Sequence, residues 1–148
     1  MRTLMRWLGV LVAAVSLLAA VGPTQASGAS QVAHVAAALP TSPPAPTPPG
    51  YTRIRHYTNK AGFDRIARDG VIRARDRGRV FGQDAKNRPL SPREAERQYR
   101  LGRGRGNHYV ETDVPDSRVR RVRNPETGAE ELQVRGDVPL RNASGRCP

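Results

Sequence analysis

The chain has 148 residues, with 25 Lys and Arg against 13 Asp and Glu, and a formal net charge of +12. This charge favours polyanionic partners such as RNA, DNA, dinucleotides or anionic lipid. The single cysteine, Cys147, excludes an internal disulfide, and no grouping of Cys, His and carboxylate residues has the spacing of a metal site.

Residues 1–26 have the pattern of a signal peptide. Two arginines precede an apolar run over Trp7–Val21, which is short for a membrane span, and small residues follow up to Ala26. The pattern predicts a secreted protein that uses a Sec signal peptide, with cleavage after Ala26 or Ala29. No later segment approaches spanning length, so the mature form is expected to have no membrane span.

Residues 27–50 are poor in charge and dense in proline towards their end. Proline removes backbone donors and favours the extended polyproline conformation, so this stretch is predicted to be a semi-rigid linker. Residues 51–148 then remain for one small domain.

The domain is predicted to open with a strand over Tyr51–Tyr57, in which Ile54 and His56 face one way and Arg55 and Tyr57 the other. Asn59 is a good N-cap for a helix that ends at Gly70, and a second strand is predicted directly after it.

The rest of the chain is taken in order. Arg77–Pro89 is predicted to be irregular, and the capping box at Ser91 starts a helix that runs to about Arg100. The predicted strands after it are His108–Val114, the hairpin pair Ser117–Arg123 and Ala129–Arg135, and Val138–Leu140. Two helices among about six strands predict an α+β domain with mostly antiparallel pairing.

The segment Arg55-His56-Tyr57-Thr58 places a guanidinium, an imidazole, a phenol and a hydroxyl within one turn of chain. We interpret it as the floor of a nucleotide-binding cleft. The alternative is that His56 and Tyr57 are half-buried strand residues without a role in chemistry.

A second candidate group lies on the strand His108–Val114, where Tyr109, Glu111 and Asp113 share one face. An aromatic ring and two carboxylates would suit the stabilisation of a developing positive charge, such as a ribose oxocarbenium ion. The alternative is a solvated outer face. The glycine-rich loop before this strand carries Arg103 and Arg105, which could bind a phosphate.

The segments RHYTNKAGFDRIARDGVIRAR and GRGRGNHYVETDVP resemble the HYD1-signature ADP-ribosyltransferase toxins of bacterial polymorphic-toxin systems. The resemblance implies a small split antiparallel β-sandwich with two helices around a cleft for NAD. It implies that His56 binds the NAD ribose and that Tyr57 or Tyr109 stacks on nicotinamide. Glu111, with Asp113 in reserve, would stabilise the oxocarbenium ion and orient the acceptor.

The same resemblance implies that Arg55, Thr58, Arg103 and Arg105 contribute to NAD binding. The partners expected are NAD and a macromolecular acceptor, protein or nucleic acid, and an immunity protein is consistent with a toxin of this kind. All of this requires that His56 and Glu111 face each other across one hollow large enough for a dinucleotide.

Two other classes of protein compete with the transferase. In a metal-independent ribonuclease, Glu111 or His56 would take the 2′-OH proton, His108 would protonate the leaving oxygen, and Arg103 or Arg105 would stabilise the phosphorane. A binding module for nucleic acid or an anionic surface would need none of these groups.

Overall fold

The computed structural model describes residue 39 and residues 45–147. Their elements in chain order are β1 (Tyr51–Thr58), α1 (Lys60–Asp69), β2 (Val71–Ile72), β3 (Arg79–Asp84), α2 (Pro92–Gln98), β4 (His108–Pro115), a 3₁₀ turn (Asp116–Arg118), β5 (Val119–Arg123), β6 (Glu130–Arg135), β7 (Val138–Pro139) and β8 (Ser144–Arg146).

Six of these strands form one antiparallel sheet in the order β5–β6–β3–β1–β4–β8, and β2 pairs with β7 in a separate small sheet. The predicted α+β class, with two helices and mostly antiparallel strands in two sheets, is confirmed. The predicted hairpin is also confirmed, since β5 pairs along its length with β6.

Both helices begin at their predicted capping residues and α1 ends at Gly70 as predicted, whereas α2 ends at Gln98 rather than at about Arg100. The Asn59 side chain accepts a hydrogen bond from the backbone N–H of Gly62 at 2.8 Å, and Gly70 ends α1 in the left-handed conformation at φ 65°. In α2, Ser91 and Glu94 make both hydrogen bonds of a capping box, with Pro92 at the first helical position.

The prediction of an irregular Arg77–Pro89 is wrong, because this segment contains β3, the strand between β1 and β6. Its sequence RVFGQD lacks the apolar alternation of a half-buried strand. Two of its buried residues, Gln83 and Asp84, are polar. The short strand β8 at the other edge was likewise not predicted.

The six-stranded sheet has one apolar face, which carries the core. Ile54, Val80, Val110, Leu132 and other side chains of this face pack against α1 and the small sheet. The covering residues are Phe63 and Ile66 from α1 with Ile72 and Val138 from β2 and β7. The opposite face, which we call the polar face, carries the alternate residues of β1, β3, β4 and β6.

The last residues of the predicted linker contact the domain, since the Ala45 carbonyl accepts hydrogen bonds from Arg53 and Asn142. The predicted signal peptide lies outside the described residues. Within the described residues, no helix is both long and apolar enough to cross a membrane.

We expect Gly106→Ala to destabilise the fold by about 1–3 kcal/mol, because a Cβ there would overlap the backbone of Pro92 at the start of α2. Gly102→Ala in the same loop is the control, since its Cβ would meet only the Arg105 side chain at 3.8 Å. Urea unfolding of both variants measures the difference. Equal stability of the two variants would contradict the packing described.

Candidate functional site

A buried ion pair between Arg55 and Glu111 lies at the centre of the polar face. The two residues are direct partners on β1 and β4, so their side chains project to the same side. Both Nε and Nη2 of Arg55 approach Oε1 of Glu111, at 2.8 and 2.6 Å. The side chains are only 4% and 11% exposed, so the carboxylate is held by a desolvated cation.

The remaining donors of Arg55 are used within the protein. Its Nη1 donates to Oε1 of Gln83 at 3.0 Å and to the Asn87 carbonyl at 2.9 Å, while Nη2 donates to the Ala85 carbonyl at 3.2 Å. Arg55 therefore clamps β1, β3, β4 and the loop after β3 together. It was predicted to bind NAD, but the structure gives it a full set of internal partners.

An aromatic cluster adjoins this ion pair. The Tyr57 ring lies 6.0 Å from the Tyr99 ring in a stacked arrangement and 6.0 Å from the Tyr109 ring edge to face. The Tyr57 hydroxyl donates to Gln83 Oε1 at 2.8 Å and accepts from the Leu90 N–H at 2.8 Å. Burial raises the pKa of Tyr57, so its hydroxyl stays a neutral hydrogen-bonding group.

Of the two tyrosines proposed to stack on nicotinamide, Tyr109 is the more accessible. Tyr57 is buried between its two neighbours, whereas Tyr109 is half-buried and has the Arg55 guanidinium 5.1 Å from its ring centre. An incoming planar group can therefore reach Tyr109 without displacing another ring.

Both carboxylate oxygens of Asp113, the second candidate acid, accept hydrogen bonds that hold the fold together. Arg53 binds it in a bidentate pair, Nε to Oδ1 at 2.7 Å and Nη2 to Oδ2 at 2.9 Å, and Asn142 donates to Oδ2 at 2.9 Å. The Asp113 side chain is 0% exposed. It ties β1 to β4 and to the turn before β8, and has no accessible oxygen for a substrate.

A third carboxylate on the polar face, Glu131, was not singled out from the sequence. Leu132 and Val134 of β6 belong to the core, so alternation turns Glu131 and Gln133 to the polar face. Glu131 is 7% exposed, and its Oε1 accepts a hydrogen bond from Nδ2 of Asn124 at 2.6 Å. The alternation of EELQV could have identified it, had each face of this strand been assigned.

The prediction that His56 and Glu111 face each other is wrong. His56 pairs with Val110 across β1 and β4, and Val110 is a core residue of the apolar face, whereas Glu111 pairs with Arg55 on the polar face. His56 Nδ1 lies 2.8 Å from the Phe81 carbonyl, to which only a protonated nitrogen can donate. Thr58, two residues further along β1, points to the same side as His56.

His108 also lies away from Glu111. It pairs with Thr58, is 8% exposed, and packs edge-on against Phe63 at 5.9 Å. Its Nε2 lies 3.7 Å from Sγ of Cys147, and its buried Nδ1 has no hydrogen-bond partner among the described residues. The ribonuclease pair of Glu111 and His108 is therefore not assembled, because strand alternation separates the two side chains.

The alternative ribonuclease pair, His56 and His108, does lie on one face. Burial lowers the pKa of both rings, and the positive charge of Lys60 lowers that of His108 further. Neither imidazole is therefore poised as the protonated acid that this mechanism requires.

The loop 102–107 displays Arg103 and Arg105 as exposed side chains just before β4. One of its backbone donors, the Gly104 N–H, is used by Oε1 of Glu96 at 2.6 Å. The loop can therefore offer its two guanidiniums to a phosphate, but not that N–H group.

An open pocket of about 590 Å³ lies between α2 and the turn that precedes β6. It is lined by Glu94, Arg97, Gln98, Thr127, Gly128 and Ala129. Gln98 directly precedes Tyr99, and Ala129 directly precedes Glu130 and Glu131. The pocket is thus lined by residues that adjoin Tyr99 and the start of β6 in the sequence. Among the described residues, no group of His, Cys, Asp and Glu could hold a metal ion.

The α+β fold and a polar face rich in tyrosine and carboxylate are consistent with an enzyme that acts on a cationic centre. A family model described as HYD1 signature containing ADP-ribosyltransferase matches residues 54–142. The match spans more than half of the chain, and the chain therefore belongs to this family of ADP-ribosyltransferase toxins. Searches of curated proteins and of solved structures found no match.

We expect Arg55→Met to cost about 3–5 kcal/mol of unfolding free energy, because it leaves the Glu111 carboxylate buried without its cation. Arg120→Met is the matched control, since Arg120 is exposed on β5. Denaturant unfolding of both variants provides the measurement. A loss below about 1 kcal/mol in Arg55→Met would show that the ion pair does not hold the fold.

The buried histidines predict a pH dependence of stability. An unfolded histidine has a pKa of about 6.5, and burial lowers the pKa of His56 in the folded state. The unfolded chain therefore binds the proton first, so stability falls as the pH drops through about 6.5 and levels off below the folded pKa.

Thermal unfolding between pH 8 and pH 5 measures this loss. His56→Asn, whose amide can still donate to the Phe81 carbonyl, should show a shallower decline than the wild type. Identical pH profiles of the two proteins would remove His56 as the cause.

Proposed function

We propose that this protein transfers ADP-ribose from NAD to a macromolecular acceptor, using the polar face of the sheet. The observation that carries the proposal is the family match over residues 54–142, which extends from β1 to the turn before β8. The polar face also supports it, because it places the half-buried ring of Tyr109 and two carboxylates, Glu111 and Glu131, on one side of the sheet.

The chemistry is a substitution at the anomeric carbon of the nicotinamide ribose. The bond between C1′ and the nicotinamide nitrogen breaks, and its electron pair leaves with nicotinamide, which becomes neutral. The positive charge passes to C1′ and the ring oxygen of the ribose. A lone pair of the acceptor then forms the new bond to C1′, and the proton of the acceptor is released to a base. Preorganised negative charge stabilises the cationic state.

Glu111 is suited to orient the ribose. Arg55 fixes its Oε1, while in the described part of the chain Oε2 has no hydrogen-bond partner. We assign Oε2 to a ribose hydroxyl, for which a fixed acceptor is required. Because Arg55 offsets much of its charge, Glu111 contributes orientation more than electrostatic stabilisation.

Tyr109 is the residue to which we assign stacking on the nicotinamide ring, because Tyr57 is already enclosed by two aromatic neighbours. Arg103 and Arg105 are assigned to the pyrophosphate, as exposed cations on the loop that leads into β4.

His56 is assigned a role at the end of β1. Its Nδ1–H is committed to the Phe81 carbonyl, so Nε2 is the ring atom that remains for a ribose hydroxyl, as the family resemblance implies. Such a contact would be made around the end of the strand, because the ring lies on the opposite face from Glu111.

We further propose that the protein is a secreted bacterial toxin of the polymorphic type, exported through its signal peptide to act in a competitor or host cell. The Pro-rich segment 27–50 would hold the catalytic domain clear of other structures. An immunity protein in the producing cell is the partner that such a toxin requires.

The test is incubation of the purified protein with NAD labelled on the adenylate, together with a cell lysate. Free nicotinamide and label on a macromolecule are expected. Tyr109→Leu should weaken NAD binding by about tenfold, as loss of a base-stacking ring typically costs 1–3 kcal/mol. Tyr51→Leu, at the other end of β1, is the control and should bind NAD like the wild type.

Two outcomes would contradict the proposal. One is absence of nicotinamide release by the wild type in lysates from several cell types. The other is cleavage of RNA in EDTA without NAD, which would instead support the ribonuclease. Salt-sensitive binding of nucleic acid without turnover would support a binding module.

A further inference from the structure

Four polar residues from four neighbouring strands lie in one row across the polar face. Arg55 on β1 pairs with Glu111 on β4 and with Gln83 on β3. The β3–β6 register pairs Gly82 with Leu132, and its next step places Glu131 beside Gln83. The order along the row is therefore Glu131, Gln83, Arg55, Glu111, with adjacent strands about 4.8 Å apart.

The two carboxylates at the ends of this row differ in charge balance. The Arg55 guanidinium is 2.6 Å from Glu111, so this pair is close to neutral when seen from a distance. In the described part of the chain Glu131 takes part in no ion pair, and its hydrogen-bond donor is the uncharged amide of Asn124. The net negative charge of the row therefore resides on Glu131.

The Glu131 carboxylate lies near the aromatic cluster of Tyr57, Tyr99 and Tyr109. Burial is the main cause that raises the pKa of Tyr99 to about 12, and the neighbouring Tyr57 and Glu131 side chains contribute further. Tyr99 stacks on Tyr57, and its hydroxyl donates to the carbonyl of Glu130 at 3.4 Å. Glu131 thus lies near Tyr99, the outer ring of the cluster.

We propose that Glu131 is the catalytic carboxylate that stabilises the ribosyl cation, while Glu111 orients the substrate. The inference rests on the proposed transferase function and adds a residue to it. An oxocarbenium ion gains most from a carboxylate whose charge is not cancelled and which is withdrawn from water. Glu131 is buried and has no cationic partner within residues 45–147, so it meets both conditions, whereas Glu111 and Asp113 are each bound to an arginine.

In the reaction, Glu131 remains ionised while the bond between C1′ and nicotinamide breaks. Its Oε1 is held by Asn124, and the other oxygen faces the positive charge that forms on C1′ and the ring oxygen. When the acceptor attacks C1′, the same oxygen can take the proton released by the acceptor. No oxidant or further co-reactant is needed.

The experiment compares three variants of the full chain: Glu131→Gln, Glu111→Gln and Glu130→Gln. Gln at position 131 is nearly isosteric and can still accept the hydrogen bond from Asn124, so the fold should be kept. Glu130 is the matched control, because it is the adjacent residue, points to the other face and pairs with Arg121 at 2.9 Å. Nicotinamide release, NAD affinity and thermal unfolding are measured for each.

We expect Glu131→Gln to lower kcat by about a hundredfold or more, the usual effect of removing preorganised charge, with little change in NAD affinity. Glu111→Gln should mainly raise KM, and Glu130→Gln should match the wild type. Wild-type kcat in a folded Glu131→Gln variant would overturn the inference. Absence of turnover in the wild type would instead overturn the proposed function, so the two failures are distinguishable.

A fourth variant, Glu131→Asp, covers the case in which Glu131→Gln does not fold. It keeps the negative charge but draws it back by one methylene. A kcat reduced by at least tenfold with unchanged NAD affinity would support the inference. A kcat equal to that of the wild type would overturn it.

Discussion

The Arg55–Glu111 ion pair is the interaction on which the rest of the polar face depends. Arg55 bonds side chains or carbonyls from β3, β4 and the loop after β3, so one guanidinium holds four parts of the chain in register. Because a buried charge that loses its partner costs several kcal/mol, these bonds must form together. The hydrogen bonds of Arg55 therefore hold Glu111 and Gln83 in place without a ligand, which is what the proposed positioning of a ribose requires.

Strand alternation then decides which groups can act together. Residues 55, 57, 109 and 111 share the polar face, whereas residues 56 and 108 lie on the side of the core. A pairing between an imidazole and an acid was an attractive hypothesis from the sequence, because β1 carries His56 and β4 carries Glu111. Because Arg55 rather than His56 is the direct partner of Glu111, the polar face presents carboxylates and tyrosines together, and His56 can take part only around the end of β1.

The sequence predicted the elements that have local signals. Asn59, Gly70 and the Ser91 capping box determine both helices, and the turn between β5 and β6 determines the hairpin. It did not predict β3, because this strand has no apolar alternation. Its buried residue Gln83 is instead satisfied by hydrogen bonds from Arg55 and Tyr57. Glu131 was not recognised for a related reason, since its place in the site depends on which strand lies beside β6, and pairing between distant strands leaves no local pattern.

The distribution of charge over the protein matches the charges of NAD. The chain is strongly basic overall, and its exposed arginines at 103 and 105 suit the anionic pyrophosphate. The nicotinamide ring carries the opposite charge, and Glu131, at one end of the row across the polar face, pairs with no arginine among the residues that the structure describes; its hydrogen-bond donor is the uncharged amide of Asn124. On a basic protein, a carboxylate without a cationic partner is a favourable place for the cationic end of the dinucleotide. In the proposed function, the sign of the local charge would orient NAD, and the same carboxylate would face the carbon at which the positive charge increases when nicotinamide leaves.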